Sequence, residues 1–230
     1  MTSAAQMPLT FEHRPSMSGE DFLVAACNEE AVAWIDRWPD WPGPGLALYG
    51  PEGCGKTHLA NVFAEKTGAA LVTGADLTAL DPHEVLKGGS LLVVDGADAV
   101  PNGQSLFHLI NTIREENGGL LLTAREAPAR WPVSLPDLAS RLNAFPAIEI
   151  GPPDDFLMEA VLMKLFSDRQ LQVDLDVIKY LLVRMERSFA AARAVVEVLD
   201  AKSLADRRNI TVPLVRATLA EMEGEGWRWT

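Results

Sequence analysis

One stretch constrains this chain more than any other: Leu46-Ala47-Leu48-Tyr49-Gly50-Pro51-Glu52-Gly53-Cys54-Gly55-Lys56-Thr57-His58-Leu59. It reads as a buried strand, a tight glycine turn and the start of a helix. Gly50, Gly55, Lys56 and Thr57 complete the phosphate-loop spacing G-x-x-x-x-G-K-[ST]. Glycines let successive backbone N–H groups turn inward and approach a phosphate closely. The following helix points its positive end at the same place. Lys56 can then reach β- and γ-phosphates, and Thr57 can ligate Mg²⁺. The loop from Gly50 to His58, with Pro51, Glu52, Gly53 and Cys54 inside it, is therefore expected to hold ADP or ATP with Mg²⁺.

The rest of the first two-thirds alternates short apolar runs with helical patterns. Ala69–Val72, Leu91–Asp95, Leu120–Thr123 and Ala147–Ile150 join the loop strand as predicted strands. Helical periodicity runs over 20–38, from the loop to about Lys66, over Gln104–Glu116 and over Pro136–Leu142. Five short strands of parallel type predict an α/β fold, a five-stranded parallel sheet covered by helices. Asp95 closes its strand where an acid can position Mg²⁺, directly or through water. Gly96 follows it, where a second acid would polarise water. Thr123 closes another strand at the ligand edge of the sheet.

Gly151-Pro152-Pro153 marks a boundary, beyond which the strand signal vanishes. Helical patterns cover Asp154–Arg169, Asp174–Arg187, Phe189–Arg207 and Pro213–Met222. The expected organisation is an N-terminal arm over 1–19, a nucleotide-binding α/β domain over 20–151 and a small helical lid over 152–230. The arm is rich in Met, Ser, Thr and Pro and shows no period. Within it Gln6-Met7-Pro8-Leu9-Thr10-Phe11 is held extended by Pro8. Leu9 and Phe11 can enter a partner's apolar pocket while Gln6 bonds at its edge; an ordinary tail is the other reading.

A formal charge of −12 argues against a general clamp on the DNA backbone, where Lys and Arg must replace counterions. The two cysteines, Cys27 and Cys54, form no disulfide framework, and a reducing cytoplasm is expected. No apolar run reaches transmembrane length, so no membrane contact is expected.

The order of phosphate loop, acid-tipped strand, Thr-tipped strand, Arg-bearing helix and helical lid resembles the AAA+ ATPases, and more narrowly the DnaA branch. Gly55-Lys56-Thr57-His58-Leu59 matches the end of that branch's loop. Leu138-Ala139-Ser140-Arg141-Leu142 resembles its box VII, which implies that Arg141 is an arginine finger. Arg141 could instead pair with Asp137, one helical turn away. Ala192-Arg193-Ala194-Val195 sits where the branch carries its second sensor, implying that Arg193 touches nucleotide. Thr123 takes the first-sensor position. Asp21-Phe22-Leu23-Val24 resembles the box that packs on adenine, implying base contacts from Leu23 and Val24.

The resemblance covers roughly 20–222. The sequence departs from it at Gly96 and at Thr123-Ala124-Arg125-Glu126, where the branch has Thr-Ser-Asp-Arg. Gly96 lowers the expected intrinsic ATPase activity. After the lid pattern no DNA-binding domain is expected, so neither is direct sequence-specific DNA binding. Gln6, Leu9 and Phe11 resemble peptides that bind the replication sliding clamp. Together these features imply a negative regulator of replication initiation. Its expected partners are the DNA polymerase sliding clamp and DnaA, with a homodimer also allowed. A self-sufficient AAA+ loader or motor is the competing expectation.

Overall fold

A computed structural model describes residues 23–79, 81–86, 89, 91–100, 103–206 and 208–224. The expected clamp peptide, Gln6, Leu9 and Phe11, lies outside the described residues.

Five strands form one parallel sheet: β1 (Gly45–Tyr49), β2 (Ala70–Thr73), β3 (Leu91–Asp95), β4 (Gly119–Ala124) and β5 (Ala147–Glu149), in the order β2-β3-β4-β1-β5. Successive side chains of a strand point to opposite faces, and here both faces are covered. On one face Leu46, Leu48, Val93 and Leu121 pack with α1 (Glu29–Asp36) and α2 (Lys56–Thr67). On the other Ala47, Leu92, Val94, Leu120 and Leu122 pack with α4 (Gly103–Glu115) and α5 (Pro136–Asn143). A short helix, α3 (Pro82–Leu86), lies on this second face through Leu86. This two-sided burial is why the strands read as unbroken apolar runs.

The lid is α6 (Asp155–Asp168), α7 (Leu175–Arg184), α8 (Phe189–Asp206) and α9 (Val212–Gly224), built around its own core of Leu162, Phe166, Leu181, Val195, Leu199 and Val215. Asp154 caps α6 by accepting the Leu157 N–H at 2.7 Å.

One expectation needs correction. Among the described residues the helix read over 20–38 is the shorter α1, preceded by irregular residues 23–25 and a turn over 26–28. Asn28 is the reason. Its buried side chain accepts the Ala25 N–H at 2.9 Å and donates to the Leu23 carbonyl at 3.0 Å. These bonds offer the backbone an alternative to the helical ladder.

Candidate functional site

The strand order puts β1 between β4 and β5, and β3 beside β4. The carboxyl ends of β1, β3 and β4 therefore share one edge of the sheet, where ligands of open parallel sheets bind. The glycine loop leaves β1 at this edge. Its Gly50 N–H donates to the Ala124 carbonyl of β4 at 3.3 Å.

Gly53 and Gly55 have φ of +74° and +100°, a region that favours glycine. There is no space for a side chain at either. A Cβ on Gly53 would lie 2.4 Å from the Cβ of Ser188, and one on Gly55 would lie 2.8 Å from the Phe189 ring. The lid thus docks directly on the loop, and the Phe189 N–H donates to the Gly53 carbonyl at 3.2 Å. Ser188 is buried and caps the start of α8, its hydroxyl accepting the Ala191 N–H at 3.1 Å.

Between loop, sheet edge and lid lies a cavity of about 680 Å³. Lys56, Thr57, Asp95, Thr123, Phe189 and Arg193 line it, together with Glu52, Asp98 and Arg125. Lys56 Nζ donates to the carbonyls of Gly50 at 2.9 Å and Pro51 at 2.7 Å, which anchors the ammonium in the loop. Asp95 collects two hydroxyls. Thr57 Oγ1 donates to its carboxylate, 2.9 Å from Oδ2, and Thr123 Oγ1 donates to Oδ1 at 2.5 Å. Thr123 is itself buried and accepts the Gly96 N–H at 2.9 Å, so the tips of β3 and β4 are locked together.

These residues fit a nucleotide. The cradle excludes side chains, carries a cation at its base and sits at a helix start. The Thr57 hydroxyl and Asp95 carboxylate are hard oxygen donors of the kind Mg²⁺ takes alongside phosphate. Among the described residues no group of three His, Cys, Asp or Glu side chains could hold a metal alone. A cation here would share its coordination with phosphate and water. Bound Mg²⁺–nucleotide would supply the reactive phosphoryl group. The chain's own residues would bind it and orient it.

The structure gathers Glu52, Gly53, Gly55, Lys56, Thr57, His58, Asp95, Thr123 and Arg193 at the cavity. Gly50 and Pro51 contribute carbonyls behind it, and Cys54 is buried with its Sγ 3.6 Å from Lys56 Nζ. Leu23 and Val24 lie just before the turn that leads into α1 and are not among the residues lining the cavity. Cys27, in the same turn, has its thiol pKa raised by burial, and the charge of Asp154 adds to the effect. Arg193 Nε is 3.4 Å from the Phe189 carbonyl one turn back. Arg141 is not among the cavity's lining residues. Its guanidinium lies 4.9 Å from the centre of the Phe107 ring on α4, and among the described residues no ion pair joins it to Asp137.

Sequence reasoning missed the lid's Phe189 and the Glu52–Arg125 ion pair. Phe189 stands four residues before Arg193, hence on the same helix face. Arg125 directly follows a strand's carboxyl end. These positions are signals that could have marked Phe189 and Arg125 as site residues, while the pairing with Glu52 has no local signal.

Residues 157–219 match the family model described as the Hda lid domain. Domain III of the Thermotoga maritima replication initiation protein DnaA superposes with a TM-score of 0.77 at 16% identity, covering 90% of this chain and 97% of that one. The chain has the fold of the DnaA AAA+ domain, and its helical lid resembles that of Hda. AMPPCP-bound DnaA from Aquifex aeolicus is also similar, with a TM-score of 0.66 at 21% identity, over 80% of this chain. The match spans 64% of that initiator's length. A protein of Haemophilus influenzae described as uncharacterised is 27% identical over 194 residues, covering 78% of this chain and 83% of the relative. No helix among the described residues is long and apolar enough to cross a membrane.

Proposed function

We propose that this DnaA-related replication regulator binds ADP or ATP with Mg²⁺, docks on the sliding clamp through Gln6, Leu9 and Phe11, and stimulates hydrolysis of DnaA-bound ATP through Arg141. The observation that carries the reading is the placement of Arg141. It stacks over Phe107 and is not among the residues lining its own chain's cavity. A guanidinium held by an aromatic face outside its own site keeps its planar fork for a phosphate brought by a partner. The chain's own nucleotide then serves the fold, since Gly53 and Gly55 carry both the phosphate cradle and the lid contact. The likeness to DnaA supports a DnaA-type partner.

An arginine finger supplied in trans raises turnover by roughly 10³–10⁵. The test is a reconstitution of clamp, ATP-loaded DnaA and this chain, following phosphate release. Wild type is expected to accelerate release. Arg141→Ala should abolish the acceleration while keeping its melting temperature, nucleotide affinity and clamp binding. Full acceleration by a folded Arg141→Ala protein would remove Arg141 as the finger. Replacing Gln6, Leu9 and Phe11 together by Ala should abolish clamp binding alone.

A second reading, a self-sufficient ATPase acting as loader or motor, draws on Asp98. This acid lines the cavity although Gly96 occupies the position after Asp95. Robust turnover by the isolated chain, lost in Asp98→Asn, would favour it.

A further inference from the structure

We propose that Arg125 is a ligand for the terminal phosphate of a nucleoside triphosphate, with Glu52 competing for the same guanidinium. The inference rests on the reading of the cavity as a nucleotide site.

Arg125 is the first residue beyond β4, and its predecessor Ala124 is buried and bonded to Gly50 of the loop. The backbone N–H of Arg125 donates to Asp98 Oδ2 at 2.9 Å, which fixes where the side chain starts. Its guanidinium then spans to the glycine loop, 3.1 Å from Glu52 Oε2. Arg125, Glu52 and Asp98 line the same cavity as Lys56, Thr57 and Asp95. The hydroxyl–carboxylate cluster of Thr57, Asp95 and Thr123 marks the side of the cavity where a cation would bridge β- and γ-oxygens. Thr123, next to last in β4, stands two residues before Arg125 and lines the same cavity, which assigns the guanidinium to the γ end.

A planar guanidinium matches phosphate oxygens as well as it matches carboxylate. Arg125 therefore has two anionic partners for one fork. A terminal γ-phosphate carries more charge than Glu52 and draws the guanidinium away from it. A diphosphate ends one phosphate short and leaves the Arg125–Glu52 pair in place. On this account Arg125 strengthens binding of triphosphate selectively, and Glu52 moderates the preference. The side chains are 71% and 56% exposed, so solvent screening keeps the effect moderate.

The test is titration of the full chain with AMPPCP and with ADP, each with Mg²⁺. Arg125→Ala is expected to lower AMPPCP affinity by about five- to tenfold and ADP affinity by less than about twofold. Arg125→Lys should recover only part of the loss, because an ammonium lacks the fork. Glu52→Gln should raise AMPPCP affinity by about two- to threefold, and this gain should shrink in the Arg125→Ala background. Equal losses for the two nucleotides, or none, would overturn the assignment. If Arg125→Ala melts early, Arg125→Lys and Glu52→Gln decide the matter by the same comparison. Failure of the wild-type chain to bind either nucleotide would remove the nucleotide reading itself, and this inference with it.

Discussion

Gly53→Ala strikes the contact between lid and loop, and its cost follows from two separable terms. At φ +74° an alanine loses roughly 1–2 kcal/mol relative to its relaxed conformation. The added Cβ would also lie 2.4 Å from the Cβ of Ser188, far inside van der Waals contact, and relieving such overpacking costs about 1–3 kcal/mol. The steric term is removable. In a Ser188→Gly background the nearest remaining atom of that residue is its Cα, 3.4 Å away, an ordinary contact. Ser188→Gly alone loses a helix cap, at a cost of only a few tenths of a kcal/mol because glycine is itself tolerated there. The double variant should therefore be more stable than the sum of the two singles by about 1–3 kcal/mol. Urea unfolding measures the coupling, and amide exchange at Phe189, whose N–H bonds to the Gly53 carbonyl, reports the contact itself. Gly53→Ala should speed that exchange and Ser188→Gly should slow it again in the double variant. Additivity within about 0.5 kcal/mol would refute the argument that Ser188 is what Gly53 makes room for.

Other substitutions test neighbouring parts. Lys56→Ala removes the cation anchored at the base of the loop and should abolish binding of both ADP and AMPPCP by calorimetry; retained affinity would sink the phosphate-loop assignment. Arg193→Ala should weaken nucleotide binding by about one to two orders of magnitude, the worth of a charge-assisted bond to phosphate of roughly 1.5–3 kcal/mol, with the melting temperature of the ligand-free chain unchanged. In the lid, Thr218 is fully buried and its hydroxyl finds no hydrogen-bond partner among the described residues. Thr218→Val keeps the shape and removes the stranded polar group, so a gain of about 1 kcal/mol and a rise in melting temperature of about 2–4 °C are expected; a fall would show that the hydroxyl is satisfied in solution.

What the sequence made legible follows from how local each signal is. Leu91–Val94 reads as a strand because four consecutive apolar residues fill both faces of a covered sheet. Lys56, Thr57 and Asp95 were legible because the loop's spacing and a strand's terminal acid are short-range patterns. The onset of α1 was not, since apolar spacing continues through 23–28 while Asn28 turns the backbone aside. The five residues of α3 are too few to establish a period. Glu52 with Arg125, Gly53 with Ser188, and Phe107 with Arg141 are pairs far apart in the chain. The Glu52–Arg125 pair exists because β4 lies next to β1, the Gly53–Ser188 contact because the lid folds back on the loop, and the Arg141–Phe107 contact because α5 packs on α4. No local spacing encodes any of them.

The helix that begins at Phe189 has a mechanical property. It starts on the glycine loop and runs for 18 residues, so it is a lever with its fulcrum at that loop. At about 1.5 Å per residue its length is roughly 27 Å, and a tilt of about 5° at the loop displaces the far end by about 2 Å. That far end carries Leu204, which is 79% exposed. A displacement of a fraction of an ångström at Gly53 or Gly55 thus emerges, magnified, at an apolar side chain on the outside of the molecule.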